Sequence, residues 1–112
     1  MMKKVLFIIL TIVLFGCTSR LDVPIPDGIK VPCVIFYTTD GCGWCRKFEP
    51  IWNEVKQDDS FKGITFYENS YQFDSLIHSY PSFIFIDRNK QVIKRVGYMG
   101  KSSFKKHLRK IR

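Results

Sequence analysis

The run Val31-Pro32-Cys33-Val34-Ile35-Phe36-Tyr37 contains no charged residue and is apolar at both even and odd positions. Successive side chains of a strand point to opposite faces, so this run can be a strand only if the chain covers it on two sides. Phe83-Ile84-Phe85-Ile86 is a second stretch of the same kind. Two such strands call for a layered α/β architecture with chain packed on each face of a sheet. At 112 residues there is room for one domain, and 46% hydrophobic residues are enough for its core.

The remaining pattern fills in the order strand, helix, strand, helix, strand, strand, helix. Residues 42–57 read as a helix, with Cys45, Phe48, Trp52 and Val55 on one side and a kink expected at Pro50. Residues 64–68 alternate as a strand, and 73–79 are long enough for about two helical turns. After the strand at 83–86, Asp87-Arg88-Asn89-Lys90 has turn composition, residues 91–96 return as the second arm of a hairpin, and Gly97 ends it. Ser102 or Ser103 is a candidate N-cap for a last helix whose apolar face is Phe104, Leu108 and Ile111. The expected fold is a mixed four-stranded sheet, two parallel strands plus an antiparallel hairpin, flanked by helices.

Chemistry concentrates in Thr39-Asp40-Gly41-Cys42-Gly43-Trp44-Cys45-Arg46, where the first strand turns into the first helix. Unpaired N–H groups and the dipole at a helix N-terminus favour an anion, so Cys42 is expected to be a stabilised thiolate and the nucleophile of the pair. Arg46 and Lys47 would favour that thiolate and Asp40 would oppose it, unless all three are simply a solvated helix edge. A metal site using Cys42, Cys45 and either His78 or Cys33 is the alternative chemistry, but no second cysteine pair is present. Covalent haem attachment needs a histidine where Arg46 stands. Cys33, inside the first strand, reads as a small buried hydrophobe. No phosphate loop, carboxylate dyad or nucleic-acid motif is found, and neither His78 nor His107 carries a signal.

The N-terminus points out of the cytoplasm. A basic start with Lys3 and Lys4 precedes an apolar stretch at 5–15, shorter than the ~20 residues of a spanning helix. Leu14-Phe15-Gly16-Cys17 resembles a bacterial lipobox, with Phe15 where a small residue is usual. We therefore expect a signal peptide at 1–16, lipidation of Cys17, a tether at 17–30 containing Pro24, Pro26 and Gly28, and a folded domain at 31–112. Thr18 resembles the sorting pattern of outer-membrane lipoproteins, which would place the domain on the periplasmic side of a two-membrane bacterium. The formal charge of +8 does not imply a nucleic-acid partner, because two of the 18 basic residues lie in the leader and many of the others on the last helix. That basic helix could touch anionic lipid, although its apolar face is needed for packing.

Over residues 31–112 the chain resembles the thioredoxin family, and with its leader a membrane-tethered, lipoprotein-type thioredoxin. The resemblance rests on Cys42-Gly43-Trp44-Cys45 after a strand, Pro50 beyond the second cysteine, Tyr80-Pro81-Ser82 before a strand, and Gly97 after the hairpin. It implies a minimal thioredoxin-like fold in which a cis Pro81 sits across from the cysteines. Gly43, Trp44, Tyr80 and Pro81 would then form the motif and the groove for an extended substrate segment. It further implies thiol-disulfide exchange through Cys42 and Cys45, with no metal or organic cofactor. The partners implied are protein disulfides or thiols and a membrane redox partner, with the chain working as a reductase or isomerase more than as an oxidase. A non-catalytic binding module on the same fold is the rival. Thioredoxins carry a buried acid in the strand before the cysteines; here Phe36 stands there, with Glu49 or water left to serve Cys45. The connection from the second strand to Pro81 is shorter than usual, and the strand and helix that precede the first strand in full thioredoxins have no room.

Overall fold

The structure, a computed structural model, describes residues 20–21, 23–70, 73 and 76–112. The expected leader at 1–16 and Cys17 lie outside the described residues. The strands are β1 (Arg20–Leu21), β2 (Cys33–Tyr37), β3 (Thr65–Glu68), β4 (Ser82–Ile86) and β5 (Val92–Val96), and they form one sheet in the order β1-β5-β4-β2-β3. β2 pairs in parallel with β3, from Cys33↔Thr65 to Phe36↔Glu68, and antiparallel with β4, from Cys33↔Ile86 to Tyr37↔Ser82. β4 and β5 form the antiparallel hairpin, from Ser82↔Val96 to Ile86↔Val92. The four strands anticipated from the sequence are therefore present with the anticipated directions. Every residue of β2 and β4 is buried, as two-sided apolar runs require.

Alternation divides the core into two layers. Val34, Phe36, Phe83 and Phe85 face the helices α1 (Gly43–Lys56) and α2 (Lys101–Ile111), which bury Cys45, Phe48, Trp52, Val55, Phe104, Leu108 and Ile111 against them. Cys33, Ile35, Tyr37, Ile84, Ile86 and Val92 form the opposite face, covered by Val23, Ile25, Ile29 and Val31 and by Phe73, Leu76 and Ile77. Apolar side chains on irregular segments thus do for this face what helices do for the other.

Three local expectations are revised. The helix expected over 73–79 falls partly on positions 74 and 75, outside the described residues. Of the described part, the Leu76 N–H closes a turn on the Phe73 carbonyl at 2.8 Å, and Ile77 to Tyr80 are not helical. The following Pro81 disfavours helical geometry at Tyr80, and the Ser82 hydroxyl donates to the Ser79 carbonyl at 2.6 Å. α2 begins earlier than Ser102 or Ser103 would cap it: Gly100 is the N-cap without a side-chain bond, and the Phe104 N–H reaches the Gly100 carbonyl at 3.0 Å. Burying Phe104 in line with Leu108 and Ile111 puts it inside the first turn, which draws both serines into the helix. The stretch expected as a tether contributes β1, with Arg20↔Ile93 and Leu21↔Val92, and supplies Val23, Ile25 and Ile29 to the core. α1 continues through Pro50, an exposed residue that lacks the N–H to reach back to the Arg46 carbonyl.

Two surface ion pairs tie α2 to α1 and to the turn that follows it, Lys101–Glu54 at 2.9 Å and Lys105–Asp58 at 3.4 Å. The hydrogen bond from Lys101 holds the Glu54 carboxyl below the usual carboxylate range. Both pairs are open to solvent and add little beside the buried apolar contacts. Among the described residues no helix is long and apolar enough to cross a membrane.

Cys33 is fully buried, and burial pushes its thiol up to about 12 from 9.0. The folded chain therefore keeps the Cys33 proton over a pH range in which the unfolded chain has lost it, so stability falls as pH rises between those two values. In a comparison of unfolding midpoints, a Cys33→Val variant is expected to lose less stability than the parent chain from pH 9 toward pH 12, with parallel profiles below. Identical profiles throughout would contradict the burial account.

Candidate active site

The cysteine pair is aimed by the end of β2. Asn69 sits at φ 50, a conformation asparagine tolerates, and from there its N–H donates to the Phe36 carbonyl at 2.9 Å while its Oδ1 accepts the Thr38 N–H at 3.0 Å. These bonds tie the end of β2 to the loop after β3. Gly41 at φ 78 then reverses the chain, and the Cys42 N–H approaches the Thr39 carbonyl at 3.4 Å.

Cys42 is the N-cap of α1, with φ −88 and ψ 104. Its Sγ accepts the Cys45 N–H at 3.1 Å, and its carbonyl accepts the Arg46 N–H at 3.2 Å. A sulfur thus occupies the place usually taken by a serine or aspartate oxygen, where a negative charge is favoured. Cys42 and Cys45 form a disulfide with Cα atoms 5.2 Å apart. Cys42 is half-buried, whereas Cys45 is 1% exposed beneath it, so an incoming group reaches Cys42 first.

Beside the bridge, Trp44, Tyr80, Pro81, Gly97 and Tyr98 line an open groove of about 360 Å³. The Tyr80–Pro81 bond is cis, as is Val31–Pro32, which the sequence did not flag. The Gly97 N–H donates to the Pro81 carbonyl at 2.8 Å and joins the two walls of the groove. Trp44 and Tyr98 lie with ring centroids 5.4 Å apart, and Lys47 Nζ sits over both, 4.9 Å and 5.7 Å from their centres. Lys47, expected only as a neighbouring charge, is held against the aromatic wall.

Of the residues expected to make up the site, Trp44, Tyr80 and Pro81 converge in this groove next to the bridge. Gly43, the exposed first residue of α1, is not among the lining residues, and a Cβ there would meet nothing within 4 Å. Tyr98 was missed, although an aromatic placed directly after the hairpin-ending Gly97 and outside any apolar period was a usable signal. Arg46, Asp40 and Glu49 are all exposed. Phe36 is fully buried among Phe48, Trp52 and Phe83, in the same core layer as Cys45. Cys33 belongs to the sheet face opposite Cys45. Among the described residues no three His, Cys, Asp or Glu side chains converge as a metal cluster would require. His78 is exposed, and His107, stacked on Phe85, accepts from Arg95 Nε at 3.0 Å and meets the Ser103 carbonyl through Nδ1 at 2.8 Å.

A strand that delivers an N-capping cysteine, a partner one turn below and a cis-proline groove alongside can exchange disulfides with an extended chain. The thioredoxin family model matches residues 25–110. Similar solved structures include Plasmodium falciparum thioredoxin, with TM-score 0.57 and 18% identity over 71% of this chain and 81% of that one. Fasciola hepatica thioredoxin gives TM-score 0.59 and 16% identity over 71% and 80%. The dsbF protein of MTB, solved in mixed oxidized and reduced forms, gives 0.60 and 15% over 71% and 80%. No curated protein matches the sequence.

Proposed function

The chain belongs to the thioredoxin family and is a thiol-disulfide oxidoreductase, and from that premise we infer that it works outside the cytoplasm, tethered to a membrane, as a reductase or isomerase of protein disulfides. The observation that carries the catalytic assignment is the Cys45 N–H directed at Cys42 Sγ from the start of α1.

In the reduced form, the Cys42 thiolate attacks one sulfur of a substrate disulfide. A bond forms between Cys42 and that sulfur, the substrate bond breaks, and the departing substrate thiolate takes up a proton. Cys45 then loses its proton and attacks Cys42 Sγ, releasing the second substrate thiol and leaving the Cys42–Cys45 bridge. The substrate has gained two electrons and two protons; the chain has lost the two electrons and the Cys45 proton, and the second proton comes from solvent, to which Cys42 released it on forming the thiolate. A membrane dithiol partner resets the bridge by the reverse chemistry. Water reaching Cys45 as the mixed disulfide forms is the acceptor for its proton, since Phe36 offers none and Glu49 faces solvent. The leader with Cys17 motivates the membrane location, and a thiol-oxidising compartment favours a reductase or isomerase fed from that membrane.

Insulin reduction driven by dithiothreitol tests the reductase assignment, and reactivation of scrambled ribonuclease tests the isomerase one. Activity in either supports the proposal, while net oxidation of thiols with neither activity overturns it. Tyr98→Ala removes one wall of the groove and is expected to raise KM for a disulfide peptide about fivefold with kcat little changed, as loss of ~1 kcal/mol of aromatic contact would do. An unchanged KM would take Tyr98 out of the substrate groove.

A further inference from the structure

We propose that the end of the sheet bearing the Cys42–Cys45 bridge is seated on the lipid surface of the membrane to which the chain is tethered, with Trp44, Tyr80, Val96 and Tyr98 in the headgroup zone. This rests on the reading that Cys17, or the apolar leader itself, anchors the chain.

Strand direction supplies the first argument. β2 runs toward the bridge, so its antiparallel neighbour β4 starts at that end, β5 finishes there, and β1 starts from there. Arg20, the first described residue, is therefore the end of β1 nearer the active site. The pairing of Arg20 with Ile93 leaves Lys94, Arg95 and Val96 between that point and Gly97. Cys17 is three peptide steps from Arg20, a reach of at most ~10 Å. The distance along β5 from Ile93 to Val96 is about the same. A lipid on Cys17 is thus kept within about that reach of Arg20, and this end of the sheet lies inside that range.

The surface supplies the second. Among the described residues, the exposed large hydrophobics are Trp44 (56%), Tyr80 (45%), Val96 (56%) and Tyr98 (37%), and all four lie at this end. Three of them line the groove and have a role in substrate binding. Val96 does not line the groove, and its exposure is unexplained by disulfide exchange. Tryptophan and tyrosine settle at the headgroup level of bilayers, where one side of the ring is apolar and the other wet. Lys47, poised over two of these rings, and exposed Arg46 bring cations to the same end to meet lipid phosphates. Seated this way, Cys42 lies close to disulfides presented at the bilayer surface.

The chain holds two tryptophans, exposed Trp44 and buried Trp52, which allows a direct test. The full chain, made with its leader, would be reconstituted into phosphatidylethanolamine–phosphatidylglycerol vesicles with bromine on the acyl chains just below the glycerol. Flotation would report anchoring, and quenching would report the position of Trp44. Co-flotation with loss of most Trp44 emission, and no such loss in a Trp44→Phe variant that retains Trp52, is the expected result. Co-flotation with Trp44 unquenched would overturn the orientation while leaving the anchor in place, and would mean that this end is free for a protein partner. Failure to float would remove the anchor and the proposal together.

Discussion

Serine at position 42 is expected to lower disulfide-exchange turnover by ~10³-fold or more, because a hydroxyl at neutral pH supplies almost none of the anion that attacks sulfur. The site gives this change nowhere to be compensated. Cys45 is 1% exposed and Cys33 is buried on the opposite sheet face, so neither remaining thiol reaches a protein substrate. Serine at position 45 has a different expected outcome. Cys42 still attacks, but nothing resolves the product, and the covalent complex between chain and substrate accumulates. Intact-mass measurement after mixing with a disulfide peptide checks both: no adduct for Cys42→Ser, and a persistent adduct at one site for Cys45→Ser. Turnover by the Cys42→Ser variant near that of the parent chain would remove Cys42 from the nucleophile's role.

Phe36→Ala is expected to cost about 3–5 kcal/mol of folding stability. Phe36 is fully buried on β2, stacked on Phe83 at 5.3 Å and edge-on to Phe48 at 5.1 Å, with Trp52 at 5.2 Å. Phe48 and Phe83 each contact Phe104, so removing the Phe36 ring opens a cavity in the cluster that joins the sheet to both helices. A small domain has about 5–15 kcal/mol to lose, so the variant approaches the threshold of folding. A drop in urea midpoint of roughly 2 M is the expected reading. A drop of a few tenths would mean that the cluster collapses around the gap without cost.

The parts of the fold legible in the sequence were those with a strong period. β2 and β4 are uninterrupted apolar runs, and α1 and α2 repeat buried residues at three and four, which puts Cys45, Phe48, Trp52 and Val55 on one helix face. The parts that were not legible depend on contacts between segments distant in sequence. β1 is two residues long and gains its strand character from pairing with β5, so Arg20–Leu21 carries no period of its own. The cover of the second sheet face comes from Val23, Ile25 and Ile29 on a proline-containing segment, whose scattered apolar residues resemble those of a linker until the sheet is beside them. At the site, the Cys42–Cys45 spacing was visible because an N-capping cysteine with a partner one turn on is a local pattern, whereas Pro81 was visible through the resemblance of Tyr80-Pro81-Ser82 to the family. Tyr98 left only the signal of an aromatic directly after Gly97, and the seat of Lys47 on its ring left none, since that contact depends on the end of β5 meeting the start of α1.

The central claim, reversible exchange through one dithiol, is tested most directly by the redox equilibrium of Cys42 and Cys45. The measurement uses a Cys33→Ala chain, equilibrated first against glutathione and then against a stronger dithiol. Formation and loss of the bridge as a single two-electron transition is expected, with a potential near the −270 mV typical of thioredoxins marking a reductase and one near about −120 mV an oxidase. If no bridge forms between Cys42 and Cys45 at any poise, the fold serves as a binding module and the catalytic account is wrong.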